Sequence, residues 1–154
     1  MTEKTQLVNK IKNGTVIDHI PVNRGLKVLE LLGSKILSKE TAVVIINMIS
    51  DTLDHKDILK IENRELTSNE VNKISLIAPD ATLNIIRNWK VSQKSDITVP
   101  DILEDVFDCP NSNCISNANE PNISKFNITN KNPLSLTCQY CERIFSINEL
   151  PSFI

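Results

Sequence analysis

Cys109-Pro-Asn-Ser-Asn-Cys114, completed by Cys138-Gln-Tyr-Cys141, decides how the last third of this chain folds. Two short cysteine hooks separated by a longer insert present four soft ligands to one tetrahedral ion, and the spacing predicts a zinc site made by Cys109, Cys114, Cys138 and Cys141. Pro110 stiffens the first hook. Four is also an even number, so two disulfides are the alternative pairing of the same residues. With four thiolates no position is left open for water or substrate, so such a site is structural rather than catalytic.

Around the hooks the apolar residues are sparse: Ile102, Leu103, Val106, Phe107, Phe126, Ile128, Leu134, Leu136, Ile144, Phe145 and Ile147. A domain with so thin a core needs a staple, and metal binding supplies folding free energy directly. Short alternating runs near Phe126, Leu136 and Phe145 predict a small antiparallel sheet beneath the metal. Residues 92–100 are polar and end in Pro100, which puts the expected domain boundary there, with domains at 1–99 and 100–154.

Upstream, the stretch 14–20 is β-branched and bounded by Gly14 and Pro21, a strand. Asn23 is placed to cap a helix carrying Leu26, Leu29 and Leu32, with Val28 beside them and Gly33 as its stop. The apolar run 41–47 reads as a strand buried on both faces, 50–56 as a polar loop, and 57–62 as another strand. Thr67 and Glu70 form a capping box, with Leu66 and Val71 as its staple, ahead of a helix whose buried stripe is Val71, Ile74 and Ile77. Pro79 ends it. Residues 83–91 then alternate in the manner of one strand. The order strand, helix, strand, strand, helix, strand predicts an α+β, ferredoxin-like βαββαβ domain with both helices on one sheet face. The other face must be covered or solvated, and self-association is one way to cover it.

Composition narrows function. The chain has 154 residues, 40% apolar content, only three Gly and a formal net charge of -2. That charge argues against a protein that neutralises a phosphate backbone, and the few basic residues of the C-terminal part, Lys125, Lys131 and Arg143, weaken a nucleic-acid-binding zinc ribbon. With Gly at 14, 25 and 33 alone, no phosphate loop, dinucleotide fingerprint or nucleophile elbow is present. A small nucleotide-processing enzyme also lacks a carboxylate cluster for magnesium or an activated nucleophile. The N-terminus shows no signal-peptide pattern and the apolar runs are too short to span a bilayer, so a cytoplasmic chain with reduced thiols is expected. Sequons at Asn13, Asn122 and Asn127 are read as accidental in that setting.

Asp18 and His19, together with Lys56, Lys60, Lys90 and Lys94 at other strand ends, could form a field for a nucleoside triphosphate. A solvated lysine-rich surface is the alternative. Successive strand residues point to opposite faces, so Asp18 and His19 can share a ligand only near a strand end, an edge or an irregularity.

The sequence resembles the regulatory chain of aspartate carbamoyltransferase nearly end to end. The pieces that carry the resemblance are Gly14-Thr-Val-Ile-Asp-His-Ile-Pro21, Lys56-Asp57 with Lys60-Ile-Glu-Asn63, Ala78-Pro-x-Ala-Thr82, Cys109-Pro-Asn-Ser-Asn-Cys-Ile115 and Cys138-x-Tyr-Cys-Glu142. It implies a non-enzymatic subunit that binds CTP/ATP-class effectors in its N-terminal domain and grips catalytic chains through a zinc domain. It further implies regulatory self-dimers, three of which bridge two catalytic trimers in a dodecamer serving pyrimidine biosynthesis, with no nucleic-acid or membrane partner. By position, Ile11, Asp18, Lys60, Trp89 and Val91 would hold base and ribose, while His19 and Lys94 meet the phosphates. Lys56 lies at the edge of that site. Asn111, Asn113 and Glu142 match contacts to the catalytic chain, although the two Asn amides could instead bond the hook itself. Two departures bear on the effector site: the 51–54 loop lacks the glycines expected there, and Trp89 stands where Tyr is familiar.

Overall fold

A computed structural model of the chain describes residues 9–33, 39–51, 54–118 and 123–150. Among these residues five strands form one antiparallel sheet in the order β2-β3-β1-β4-β5, and four form a second in the order β6-β7-β8-β9. The first contains β1 (Gly14–Ile20), β2 (Ala42–Ser50), β3 (Asp54–Glu62), β4 (Thr82–Arg87) and β5 (Lys90–Asp96). Helices α1 (Gly25–Leu32) and α2 (Ser68–Ser75) follow β1 and β3. The second sheet contains β6 (Ile102–Glu104), β7 (Lys125–Lys131), β8 (Leu134–Cys138) and β9 (Ile144–Ser146). The α+β class and the ferredoxin-like order are as expected, with β5 as one strand more.

That extra strand corrects the reading of 83–91 as one element. The chain turns at Asn88 and Trp89, both at positive φ (52° and 70°), and β5 pairs back on β4. A two-residue turn with φ > 0 at both positions matches the twist of a hairpin and leaves the alternation of apolar residues uninterrupted, so the pattern conceals it. Residues 92–96, read as linker, therefore belong to β5, and Ile97 is buried immediately after it.

Other local readings also change. Helix α1 buries Val28, Leu31 and Leu32, while Leu26 lies exposed and Leu29 half-buried. Asn23 is not its cap. The N-cap is Arg24, without a side-chain bond, and the free Gly25 N–H donates instead to Asp57 Oδ2 at 2.9 Å. Strand β2 is an edge strand, not one buried on both faces: Ile46 and Ile49 are exposed. The loop expected at 50–56 is short because β3 already begins at Asp54; residues 52 and 53, with the expectation about loop shape, lie outside the described residues, as does the Asn122 sequon.

Helix α2 starts as read. Thr67 Oγ1 accepts from Glu70 N at 3.2 Å, and Glu70 Oε1 accepts from Thr67 N at 3.0 Å. Ile74 is fully buried beneath it. One apolar cluster continues from Ile17, Leu59 and Ile74 through Leu76, Ile77 and Ile97 to Leu103, Phe107, Phe126, Leu136 and Phe145. Asn69 Nδ2 donates to the Asp105 carbonyl at 3.1 Å across the junction.

Candidate functional site: a four-thiol centre and a cavity on the open sheet face

The two hooks bring their sulfurs together as the spacing requires. All four Sγ atoms lie within 4.8 Å of one another, with Cys109–Cys141 at 3.8 Å and Cys114–Cys138 at 3.7 Å. A tetrahedral ion with metal–sulfur bonds of about 2.3 Å needs sulfur–sulfur edges of about 3.8 Å. A disulfide needs about 2.05 Å, so these cysteines are unbridged. The first hook is shaped by Cys114 N donating to Asn111 O at 2.9 Å. Asn117 Nδ2 closes it from behind, donating to Cys109 O and Asn111 O at 2.9 and 2.8 Å.

Burial pushes the Cys109 and Cys138 thiols up, since an anion there loses hydration. Cys141 is the exception. Burial raises it too, but the Arg143 N–H, the Asn111 side chain and the neighbouring thiols outweigh that and hold it at about 7. Four thiolates packed this closely require a cation among them.

The second feature is a cavity of about 360 Å³ on the sheet face opposite the helices. The face follows from register. Val16 and Asp18 on β1, Ile58 and Lys60 on β3, Asn84 and Ile86 on β4 and Val91 on β5 all line it, while Ile17, Leu59 and Ile85, the alternate residues, are buried on the other side. Lys10, Ile11 and Trp89 complete the wall. Five of the residues expected to hold a nucleotide, Ile11, Asp18, Lys60, Trp89 and Val91, thus meet at one cavity.

Three others lie beside it. Lys94 pairs with Asn84 in the β4–β5 ladder and shares its face. Lys56 Nζ bonds Asp18 Oδ1 at 2.9 Å. His19 occupies an irregularity of the kind required above: the register of β1 against β3 shifts between Ile17 and Ile20, and His19 has φ 57°. Its N–H donates to Asp18 Oδ1 at 2.6 Å, and its Nδ1 lies 3.2 Å from Thr82 Oγ1. Val16, Ile58, Asn84 and Ile86 were not singled out from sequence, although their two-residue spacing from Asp18, Lys60 and one another was the available signal. Asp57 was missed as well. Fully buried, it accepts from Gly25 N and Asn47 N, both at 2.9 Å, tying α1 and a bulge of β2 to β3.

Of the expected partner-contact residues, Asn113 and Glu142 are exposed and Asn111 is half-buried. Asn111 Oδ1 accepts from Asn113 N at 3.2 Å, so its amide serves the hook locally.

The fold and the two sites define a two-domain metal-binding chain with a separate ligand-sized cavity. A family model for the aspartate carbamoyltransferase regulatory chain, allosteric domain, matches residues 6–98, and one for its metal binding domain matches 101–151. The chain is similar to the aspartate carbamoyltransferase regulatory chain of Methanosphaera stadtmanae, 47% identical over 99% of each chain. It is 48% identical to that of Pyrococcus horikoshii, over 93% of this chain and 94% of the relative. The counterpart in Thermoplasma volcanium is 44% identical over 99% of both. The chain belongs to the aspartate carbamoyltransferase regulatory chain family, and its role is that of a non-catalytic subunit. No described helix is long and apolar enough to cross a membrane.

Proposed function

We propose that residues 1–99 bind nucleoside triphosphate effectors of the CTP/ATP class in the cavity on the open sheet face, and that residues 100–154 hold one structural zinc ion and contact the catalytic chain of aspartate carbamoyltransferase. The observation that carries the effector reading is the β1 irregularity at His19. Alternation puts Asp18 on the cavity face, and the irregularity leaves His19, the next residue, beside Asp18 and Thr82. Lys60 and Asp18 address ribose and base, Trp89 offers a ring to the base, and Lys94 and His19 meet the phosphates, with Lys56 at the rim. Zinc fits the four-sulfur donor set and the 3.7 and 3.8 Å edges.

The rigid hooks present Asn113 and Glu142 to the catalytic chain. The exposed apolar edge of β2 suits pairing with a second copy, giving the regulatory dimers that join two catalytic trimers in a dodecamer. Effector binding then biases the quaternary state of a cytoplasmic enzyme of pyrimidine biosynthesis, to the extent that nucleotide affinity differs between the two states.

Trp89 is the one tryptophan of the chain, so its fluorescence reports on the cavity directly. CTP and ATP titrations should change that emission saturably, and Lys60→Ala and Lys94→Ala should each raise Kd roughly tenfold or more, the worth of a charge-assisted hydrogen bond. Unchanged Kd in both variants would overturn the site assignment. With the cognate catalytic trimer, adding this chain should make the aspartate saturation curve sigmoidal and nucleotides should shift its midpoint.

A further inference from the structure

One of the four sulfurs, that of Cys114, has a side-chain hydroxyl beside it. Ser116 Oγ lies 3.1 Å from Cys114 Sγ, and both residues are buried.

The local fold makes this contact. The chain leaves the first hook through a 3-10 turn, Ile115–Asn117, with Asn117 N donating to Cys114 O at 3.0 Å and Ala118 N to Ile115 O at 3.0 Å. The turn buries the Ser116 hydroxyl against the sulfur two residues behind it, while Ile115 points outward and is exposed. A buried hydroxyl must place its proton on an acceptor or forfeit a hydrogen bond in a place water does not reach. Between two neutral groups either atom could donate. Once Cys114 ligates a metal it is a thiolate without a proton, and only the hydroxyl can donate.

We infer that Ser116 is a positioning residue of the metal centre, whose hydroxyl donates to the Cys114 thiolate, orients it toward the ion and draws off part of its charge. This rests on the metal reading of the four thiols. Partners of this outer kind typically hold about 10 to 100-fold in metal affinity. The effect on this centre is asymmetric. Cys109, Cys114 and Cys138 are all buried, and the Ser116 hydroxyl keeps Cys114 from being the ligand that lets go. Cys141, the one ligand that is not fully buried, is left as the sulfur that an attacking chelator or electrophile reaches first.

The test uses the full chain, loaded with zinc or with cobalt as a spectroscopic stand-in. The comparison is between the parent, Ser116→Ala and Ser116→Thr. Ser116→Ala should transfer zinc to a colorimetric chelator about tenfold faster or more, and Ser116→Thr, which keeps the hydroxyl, should return the rate to near the parent value. In the cobalt forms, loss of the donated proton raises the energy of the sulfur lone pair, so the thiolate-to-cobalt charge-transfer band of Ser116→Ala should move to longer wavelength. A packing role would not move that band. Failure of Ser116→Ala to load while Ser116→Thr loads also supports the role of the hydroxyl. Equal release rates and superimposable bands in parent and Ser116→Ala overturn it, as does Ser116→Thr behaving like Ser116→Ala. A parent chain that takes up neither ion overturns the metal reading itself, and the role of Ser116 with it.

Discussion

Asp57 shows how much one side chain can hold. Its carboxylate is fully enclosed and divides its two oxygens between Gly25 N–H, at the start of α1, and Asn47 N–H, at a bulge of β2 where φ is 62°. It thereby substitutes for the capping side chain that α1 lacks. Asn at this position would aim an amide NH₂ at one of two N–H donors. Asp57→Asn is expected to destabilise the chain by about 1–3 kcal/mol, the cost of a buried donor left unsatisfied, as read by urea denaturation. An unchanged midpoint would mean that the carboxylate is dispensable there. Gly25 is held to the same contact, since a Cβ there would come within 2.9 Å of Asp57 Cβ.

At the scale of elements, the capping box of α2 is the clearest case of local sequence acting alone. Thr67→Ala should cost about 1 kcal/mol. The pH dependence follows from Glu70. Burial pushes its carboxyl up, but bonds from the Thr67 N–H, the Arg64 guanidinium and the Thr67 hydroxyl together hold it below the usual carboxylate range. A carboxyl with a depressed folded pKa binds fewer protons than the unfolded chain does at mildly acid pH. Its stabilisation is therefore complete above the ordinary value of 4.5 and is lost as pH falls through the folded value. Glu70→Gln should flatten that part of the acid limb in a pH series of thermal melts. The β4–β5 hairpin makes the opposite case, in which local preference yields to the cavity. Trp89 sits at φ 70°, where glycine is preferred, and lines the cavity on the open sheet face. Trp89→Gly is expected to stabilise the fold by up to about 1 kcal/mol while weakening the proposed nucleotide binding. The pair of opposed changes is checked by a melt and by calorimetric titration.

For the whole molecule, the metal holds up the thinner half. Chelation should release the C-terminal sheet first, because its core is built on Phe107, Phe126, Leu136 and Phe145 around the hooks, with Phe107 and Phe126 rings 4.8 Å apart. Hydrogen exchange on the metal-free chain should show lost protection in β7–β9 and retained protection in β1, β3 and β4; equal loss in both sheets would show the domains to be one cooperative unit. The continuous cluster through Ile77, Ile97 and Leu103 gives the junction a packed core rather than a loose tether. The proposed coupling across it is reciprocal by linkage. Whatever factor nucleotides impose on ligand affinity in the catalytic chain, typically about 5 to 150-fold, that ligand must impose on nucleotide affinity. Paired titrations on the assembled complex check the equality.

What the sequence determined by itself was whatever depends on near neighbours in the chain. The four-thiol centre was legible because each hook closes within a few residues, the capping box because it is a three-residue contact, and the ferredoxin-like order because strand and helix periods differ. The resemblance of its motifs to a known regulatory chain added the proposed effector residues by position. Tertiary structure decided what depends on pairing at a distance. Which residues share the open face with Asp18 and Lys60 was set by the ladders of β1 with β3 and β4. The N-terminus of α1 is capped by a carboxylate 32 residues away. His19 stands beside the cavity because β1 slips register against β3 at that point. Strand β5 stayed hidden because a two-residue turn keeps the alternation of a single strand. In all of these but the last the deciding interaction joins residues far apart in sequence, and local propensity carries no record of it.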